Sequence, residues 1–147
     1  NLYELAQRIY GPSYVSFESA LSYHGWIPEA VYTVTSASAA RSKERPTPLG
    51  VFSYIRIPAH PFYAGVRRVQ EPGGIYFMAT PWKAILDYVY ANKKDWRSTE
   101  PLVKDLRIEE SFLKKDELRV LDELRETYKS ARVQAFIEGV TRKGKRS

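Results

Sequence analysis

The 147 residues hold no cysteine. That removes disulfides, thiolate zinc sites and cysteine nucleophiles together, and it fits a cytoplasmic protein. Histidine is nearly as scarce. His24 and His60 stand far apart, neither beside an acid cluster, so no metal site is expected. No apolar run reaches the ~18 residues of a membrane helix, so no membrane partner is expected, and no stretch reads as a signal peptide. The phosphate-cradling loop, the dinucleotide glycine fingerprint and the G-x-S-x-G nucleophile elbow are missing; Gly73-Gly74 is a lone pair in a turn. Glu18, Glu29 and Asp87 remain as candidate carboxylates, and nothing in their spacing forces them together as an acid–base pair. These absences predict a protein that is not an enzyme and takes no cofactor.

What is present fits one soluble globular domain: 44% hydrophobic and 27% charged residues, over a length that buries a good core. Eleven tyrosines stand out. Half-buried strand positions suit tyrosine, so structural packing is the expected role, with a base-stacking surface as the alternative. Net charge is +6 and the isoelectric point about 9.5. Residues 1–75 carry 7 basic and 5 acidic side chains, residues 76–147 carry 16 and 12. The last seven residues, TRKGKRS, hold four cations and no acid. Such a cluster attracts nucleic acid by counterion release, or is simply a solvated tail.

Periodicity orders the chain as strands first, helices second. Leu2–Tyr10 is predicted helical, with Leu2, Leu5, Ala6 and Ile9 on one face and Gly11-Pro12 as its stop. In a second helix, over 16–24, Ser16 is expected to cap through its hydroxyl with Ser19 as a weak capping-box partner, and Phe17, Ala20, Leu21 and His24 share a face. His24 reads as a core histidine with one ring nitrogen bonded, His60 as a loop residue. Strands are predicted at 31–36, 50–57, 63–70 and 75–79, with 37–48 a loop and Glu71–Gly74 a tight turn.

Thr80-Pro81 starts a helix whose apolar face is Trp82, Ile85, Leu86 and Val89; Lys83 and Asp87, at i and i+4, are placed on the opposite side as a weak pair. Ser98 or Thr99 starts another to about Arg107. Asp116 caps a further one with Val120, Leu121 and Leu124 inward, and Ser130 caps the last, with Val133, Phe136, Ile137 and Val140 at helical spacing. The predicted fold class is therefore α+β: a largely antiparallel or mixed sheet in the first half, helices packed on one face of it, and a helical C-terminal tail over 113–147 of the same domain.

Two segments carry more than periodicity. Tyr14–Ser36 reads YVSFESALSYHGWIPEAVYTVTS and Ala79–Tyr88 reads ATPWKAILDY; Thr47–Phe52, TPLGVF, is a weaker third. The run S-x-E-S-A-L-x-Y-H-G with its I-P turn and V-Y-T-V-T-S strand, together with the second segment, resembles the C-terminal domain of AbiEi-type antitoxins. These belong to type IV toxin–antitoxin systems, linked to bacterial abortive infection of phage. The resemblance covers about Leu2 to Val140. It implies a non-enzymatic antitoxin that counters a nucleotidyltransferase-like toxin without a tight complex and represses its own operon through operator DNA. It also implies a winged helix-turn-helix domain N-terminal to this one; residues 1–147 hold none, so their own DNA affinity is expected to be weak. The toxin of such a system carries a Gly-Ser followed by paired acids, and no Gly-Ser dipeptide occurs here.

The candidate nucleic-acid-binding residues are Arg41, Lys43 and Arg45 of the loop and Arg56, Arg67 and Arg68 of the strands, with Lys143, Lys145 and Arg146 adding diffuse attraction. Arginine suits phosphate because its planar fork donates two hydrogen bonds. If 50–57 and 63–70 pair, their arginines form one basic face beside the loop; the alternative is a scatter of surface cations. No residue is assigned the antitoxin activity itself. Two other classes stay open. One is a small nucleic-acid-processing enzyme built on an unrecognised carboxylate cluster. The other is a protein-interaction module docking through an exposed apolar stripe on the helix of 130–141.

Overall fold

In a computed structural model, residues 1–114 and 118–146 are described, residues 143–146 by their backbone alone. Six strands, β1 (Ser13–Val15), β2 (Val34–Ser38), β3 (Lys43–Thr47), β4 (Gly50–Arg56), β5 (Val66–Glu71) and β6 (Gly74–Ala79), form one sheet in the order β3-β4-β2-β1-β6-β5. The helices are α1 (Leu2–Ile9), α2 (Phe17–Tyr23), α3 (Pro81–Ala91), α4 (Glu100–Lys104), α5 (Arg119–Glu123) and α6 (Ala131–Arg146). The fold is α+β with a mixed sheet. β1 and β2 pair antiparallel at its centre, and each is flanked by a hairpin: β4 of β3–β4 runs parallel to β2, and β6 of β5–β6 parallel to β1.

Side chains at period two sort by face. Val34, Phe52 and Tyr54 face α1, where Ala6 packs against them and Tyr54 Oη donates to Ala6 O. Tyr14 and Ala37, partners in register, face the other way and join the larger core with α2, α3, α5 and α6. Helices thus cover both faces, not one. The reason lies in β1, which is three residues long and pairs with β6 at Val15↔Met78. The N–H groups of Ile75 and Phe77 lie beyond that pairing, and a buried or bonded sheet leaves no donor unanswered. Glu4 Oε2 accepts the first at 2.6 Å and Gln7 Oε1 the second at 2.8 Å. An i, i+3 pair on a helix completes an i, i+2 ladder on a strand. Gly74, at φ 154°, makes room: a Cβ there would lie 2.7 Å from Glu4 Oε2. Of the apolar residues expected inside on α1, Ala6 is buried, Leu5 and Ile9 are partly so, and Leu2 is exposed.

Other boundaries move where pairing overrides local pattern. The strand expected at 31–36 is Val34–Ser38, because the small residues Ser36, Ala37 and Ser38 fit between β1 and β4 in the sheet's centre. The stretch 37–48, expected as a loop, holds β3; Pro46 has no N–H to offer and is tolerated because β3 is an edge. β1 has no counterpart among the predicted strands. The Asp116 cap lies outside the described residues, and Ser130 Oγ accepts Val133 N at 3.3 Å as a cap should.

The faces of α3 and α6 are those their spacing predicts. Trp82, Ile85, Leu86 and Val89, with Val133, Phe136, Ile137 and Val140, are all fully buried, each contributing roughly 1.5–3 kcal/mol. α6 comes so near the chain before α4 that a Cβ on Gly139 would lie 2.1 Å from Arg97 O. That contact accounts for a mid-helix glycine, which locally costs about 1 kcal/mol. Among the described residues, no helix is long and apolar enough to cross a membrane.

Candidate functional site

The two segments singled out in the sequence meet in the core. Asp87 on α3 is fully buried; its Oδ2 accepts from Ser16 Oγ at 2.7 Å and Tyr14 Oη at 2.8 Å, and its Oδ1 from Tyr128 Oη. Lys83, one turn earlier, is equally buried. Its Nζ lies 3.5 Å from Asp87 Oδ1, donates to Tyr128 Oη at 2.7 Å, and sits 4.4 Å from the centre of the Tyr128 ring. The weak pair expected on the open side of α3 is therefore corrected: α3 is enclosed on nearly every side, with Trp82 through Asp87 all buried, and charges survive there only when paired and hydrogen-bonded. Burial pulls the Lys83 ammonium below its usual range, with Asp87 opposing. Burial first, then the Asp87 charge, push the Tyr14 and Tyr128 phenols well above theirs. Both phenols stay protonated and donate. The carboxylate is enclosed by these donors, and the cluster ties α3 to Tyr14, Ser16 and Tyr128.

Ser16 Oγ is committed to Asp87 and caps no helix N–H, contrary to expectation. The cap on α2 comes from β2. Thr35 Oγ1 accepts Ser19 N at 3.1 Å and donates to Ser16 O at 2.7 Å, while Ser19 Oγ accepts Thr35 N at 2.8 Å. Between these anchors the buried Phe17 is held at φ 54°, a left-handed conformation that costs a bulky residue about 1–2 kcal/mol. Thr80 Oγ1 likewise donates to Gly65 O at 2.9 Å and caps nothing on α3. His24 is partly buried, less than expected, and its Nε2 donates to Ala79 O at 2.9 Å. His60 is exposed between β4 and β5.

The candidate cations do not form one face. β4 and β5 do not pair; they stand four strand spacings apart, about 19 Å, because β2, β1 and β6 lie between them. Arg67 and Arg68, being consecutive, point to opposite faces. What the fold does gather is Arg41, Lys43, Arg45 and Arg56, all exposed, at the β3–β4 margin. Lys43 and Arg45 stand opposite Tyr54 and Phe52 in register, and Arg56 follows Tyr54 by two, so these three share the α1 face. Lys43 Nζ lies 4.9 Å over the Tyr10 ring, and Tyr10 Oη donates to Arg41 O at 2.8 Å. Among the described residues none of the four makes an ion pair, whereas Arg8, Lys104, Arg107, Arg125, Arg132 and Arg142 each have a carboxylate within 2.6–3.3 Å. Cations on an edge strand also deter pairing with another sheet, a role that needs no ligand. The side chains of Lys143, Lys145 and Arg146 lie outside the described residues.

The candidate carboxylates fall in two places. Glu18 and Glu29 line a cleft of about 540 Å³ with Asp105, Tyr32 and Tyr88, while Asp87 is in the core. Glu29 is held by Arg107 at 3.0 Å. Among the described residues no three of His, Cys, Asp and Glu are placed to hold a metal ion. No family model and no curated protein matches the chain.

Proposed function

We propose that this chain is a non-enzymatic antitoxin module of the AbiEi type. In this reading it counters a nucleotidyltransferase-like toxin without a tight complex, and in the cytoplasm it contributes to operator DNA binding and self-repression through the β3–β4 margin. The observation that carries the DNA-facing part is the gathering of Arg41, Lys43, Arg45 and Arg56 on one exposed margin, none of them in an ion pair among the described residues. So few cations neutralise few phosphates, and phosphate contacts position a protein without reading bases. Binding is therefore weak without a winged helix, with Arg67, Arg68, Lys143, Lys145 and Arg146 adding diffuse attraction. The antitoxin part rests on the resemblance of the two segments that the fold ties together through Ser16–Asp87 and His24–Ala79.

The other classes gain less support. An interaction module docking through α6 needs that helix's apolar stripe exposed, and Val133, Phe136, Ile137 and Val140 are buried. An enzyme needs acids free to act on a substrate; Glu18, Glu29 and Asp105 line one cleft, but Glu29 is held by Arg107 and Asp87 is enclosed in the core.

The test is a salt titration of duplex DNA binding by residues 1–147 and by the variant Lys43→Glu, Arg45→Glu. Each phosphate contact contributes a slope of about 0.9 in log affinity against log salt. Losing two should shallow the slope by about 2 and weaken binding to every sequence by about the same factor. Equal binding by the two proteins, or binding indifferent to salt, removes the margin from the reading. Co-expression with a nucleotidyltransferase-type toxin tests the other half: folded protein that restores no growth sinks the antitoxin role.

A further inference from the structure

One face of the β5–β6 hairpin is uncovered. Arg68 and Gln70 of β5 stand opposite Phe77 and Ile75 of β6 in register, so their side chains share a face; Tyr76 and Met78, on the reverse face, are buried. Phe77 is 36% exposed, Ile75 43%, and Tyr63, whose ring lies 5.2 Å from that of Phe77, 42%. These exposed apolar groups are neighbours on one face and are not scattered singly over the surface. The rings lead back to the core. Tyr63 packs on Phe62 at 4.9 Å, and Phe62 on the buried Tyr14 at 5.0 Å. The Phe77 N–H is fixed by Gln7 Oε1. Arg68, directly across from Phe77, is exposed and, among the described residues, has no carboxylate partner; its Nη1 lies 3.5 Å from Gln70 Oε1.

We propose that this face binds single-stranded nucleic acid, with bases stacked on Phe77 and Tyr63 and a backbone phosphate held by Arg68. Exposed rings on a sheet beside a guanidinium with no carboxylate partner among the described residues are what unpaired bases stack on. A duplex keeps its bases stacked on one another and offers these rings nothing. A second copy of the chain fits worse, because the apolar groups come with an unanswered cation on a chain of net charge +6, and two copies repel. The face lies at the opposite edge of the sheet from the β3–β4 margin and on its other side, and shares with the duplex reading only the diffuse charge of Arg68.

The test is fluorescence anisotropy of labelled oligothymidylate and oligouridylate on the full chain, with a labelled DNA duplex and polyglutamate in parallel. Phe77→Leu and Tyr63→Leu remove a ring and keep apolar bulk; Phe77→Trp restores a ring. Stacking is worth about 1–3 kcal/mol per base, so each leucine variant should weaken single-strand binding roughly 5- to 150-fold. The tryptophan variant should bind as the parent does, and duplex binding should be unchanged in all three. Urea melts establish that each variant is folded. Should a leucine variant unfold, Arg68→Ala, a surface change, is read in its place and should weaken single-strand binding and its salt dependence. The preference between the two oligonucleotides assigns the source as DNA or RNA. Single-strand binding untouched by these changes, polyglutamate bound as tightly as the oligonucleotides, or a dimer that Phe77→Leu abolishes would overturn the proposal. Loss of duplex binding alone, in the Lys43→Glu, Arg45→Glu variant, bears on the β3–β4 margin and leaves this face standing.

Discussion

Lys83 and Lys43 carry the same ammonium, and each lies against a tyrosine ring, 4.4 Å from Tyr128 and 4.9 Å from Tyr10. Around Lys83 the charge is answered: Asp87 faces it, and Tyr14, Ser16 and Tyr128 donate to that carboxylate. Around Lys43 stand Arg41, Arg45 and Arg56, exposed and unpaired among the described residues, while Glu44 alternates to the other face of β3. Burial makes an unanswered charge ruinous, so the core cation is kept with its counter-charge. Water screens an exposed one, so the margin cations persist without partners and remain available to an outside anion. One arrangement supports the fold; the other is what a ligand would meet.

The sharpest way to break this contrast is Asp87→Ala. It leaves the Lys83 ammonium and three hydroxyls in the core without their acceptor, and should cost about 3–5 kcal/mol, a large share of the ~5–15 kcal/mol that holds a domain together. Urea melts read it as a lower midpoint at unchanged slope. Adding Lys83→Met should return part of the loss, since it removes the stranded charge, and the double-mutant cycle measures how much. A loss under about 1 kcal/mol for Asp87→Ala would mean that the cluster is hydrated in solution and that the two lysines are not opposites.

The apolar stripes of α3 and α6 were legible because period 3.6 needs no knowledge of the rest of the chain. The role of Lys83 and Asp87 was not, because an i, i+4 pair looks alike on a surface helix and in a core, and Tyr14 and Tyr128 reach them from distant sequence. A signal was present: Trp82, Ala84, Ile85 and Leu86 leave α3 apolar nearly all round, which marks a buried helix. Strand neighbours were misread for a related reason. Consecutive strands usually pair, but the 57–65 connection carries the chain from β4 to the far edge of the sheet. That separated Arg56 from Arg67 and Arg68. β3 and β1 were missed because one is an edge with a proline and the other is three residues long. The lack of acids near Arg41–Arg56, by contrast, is visible in the sequence, where Glu44 stands alone among them.

A second contrast is read with pH. Burial raises the phenols of Tyr14 and Tyr128 well above their usual value and that of Tyr54 to about 12. The unfolded chain gives up these protons near pH ~10; the folded chain holds them longer. Unfolding therefore releases protons above that pH, and the stability present below it is lost as pH rises through the folded values. Lys83 works in the other direction. With its folded value depressed, the unfolded chain binds the extra proton, so this one group adds stability as pH rises toward ~10.4. Three phenols outweigh one ammonium, and the urea midpoint should fall steadily above pH ~10. Phenolate absorbance should show a tyrosine fraction that titrates only when the chain unfolds. A fold that survives titration of every tyrosine would contradict the burial of this cluster.

The smallest expected effect is the most telling for function. Lys43→Ala with Arg45→Ala removes two exposed cations that have no carboxylate partner among the described residues and stand on an edge strand. Surface changes of this kind shift stability by no more than about 0.5 kcal/mol, so the urea midpoint should hardly move while duplex binding weakens and loses salt dependence. Removing edge cations also removes a barrier to strand pairing between copies, so the variant's sedimentation must be followed with its binding. If it dimerises and its duplex affinity is unchanged, the margin exists to keep the β3 edge solitary. If it stays monomeric and binds less, the cations are there for a partner. Lys83 could never give that second result, because its charge reaches no solvent.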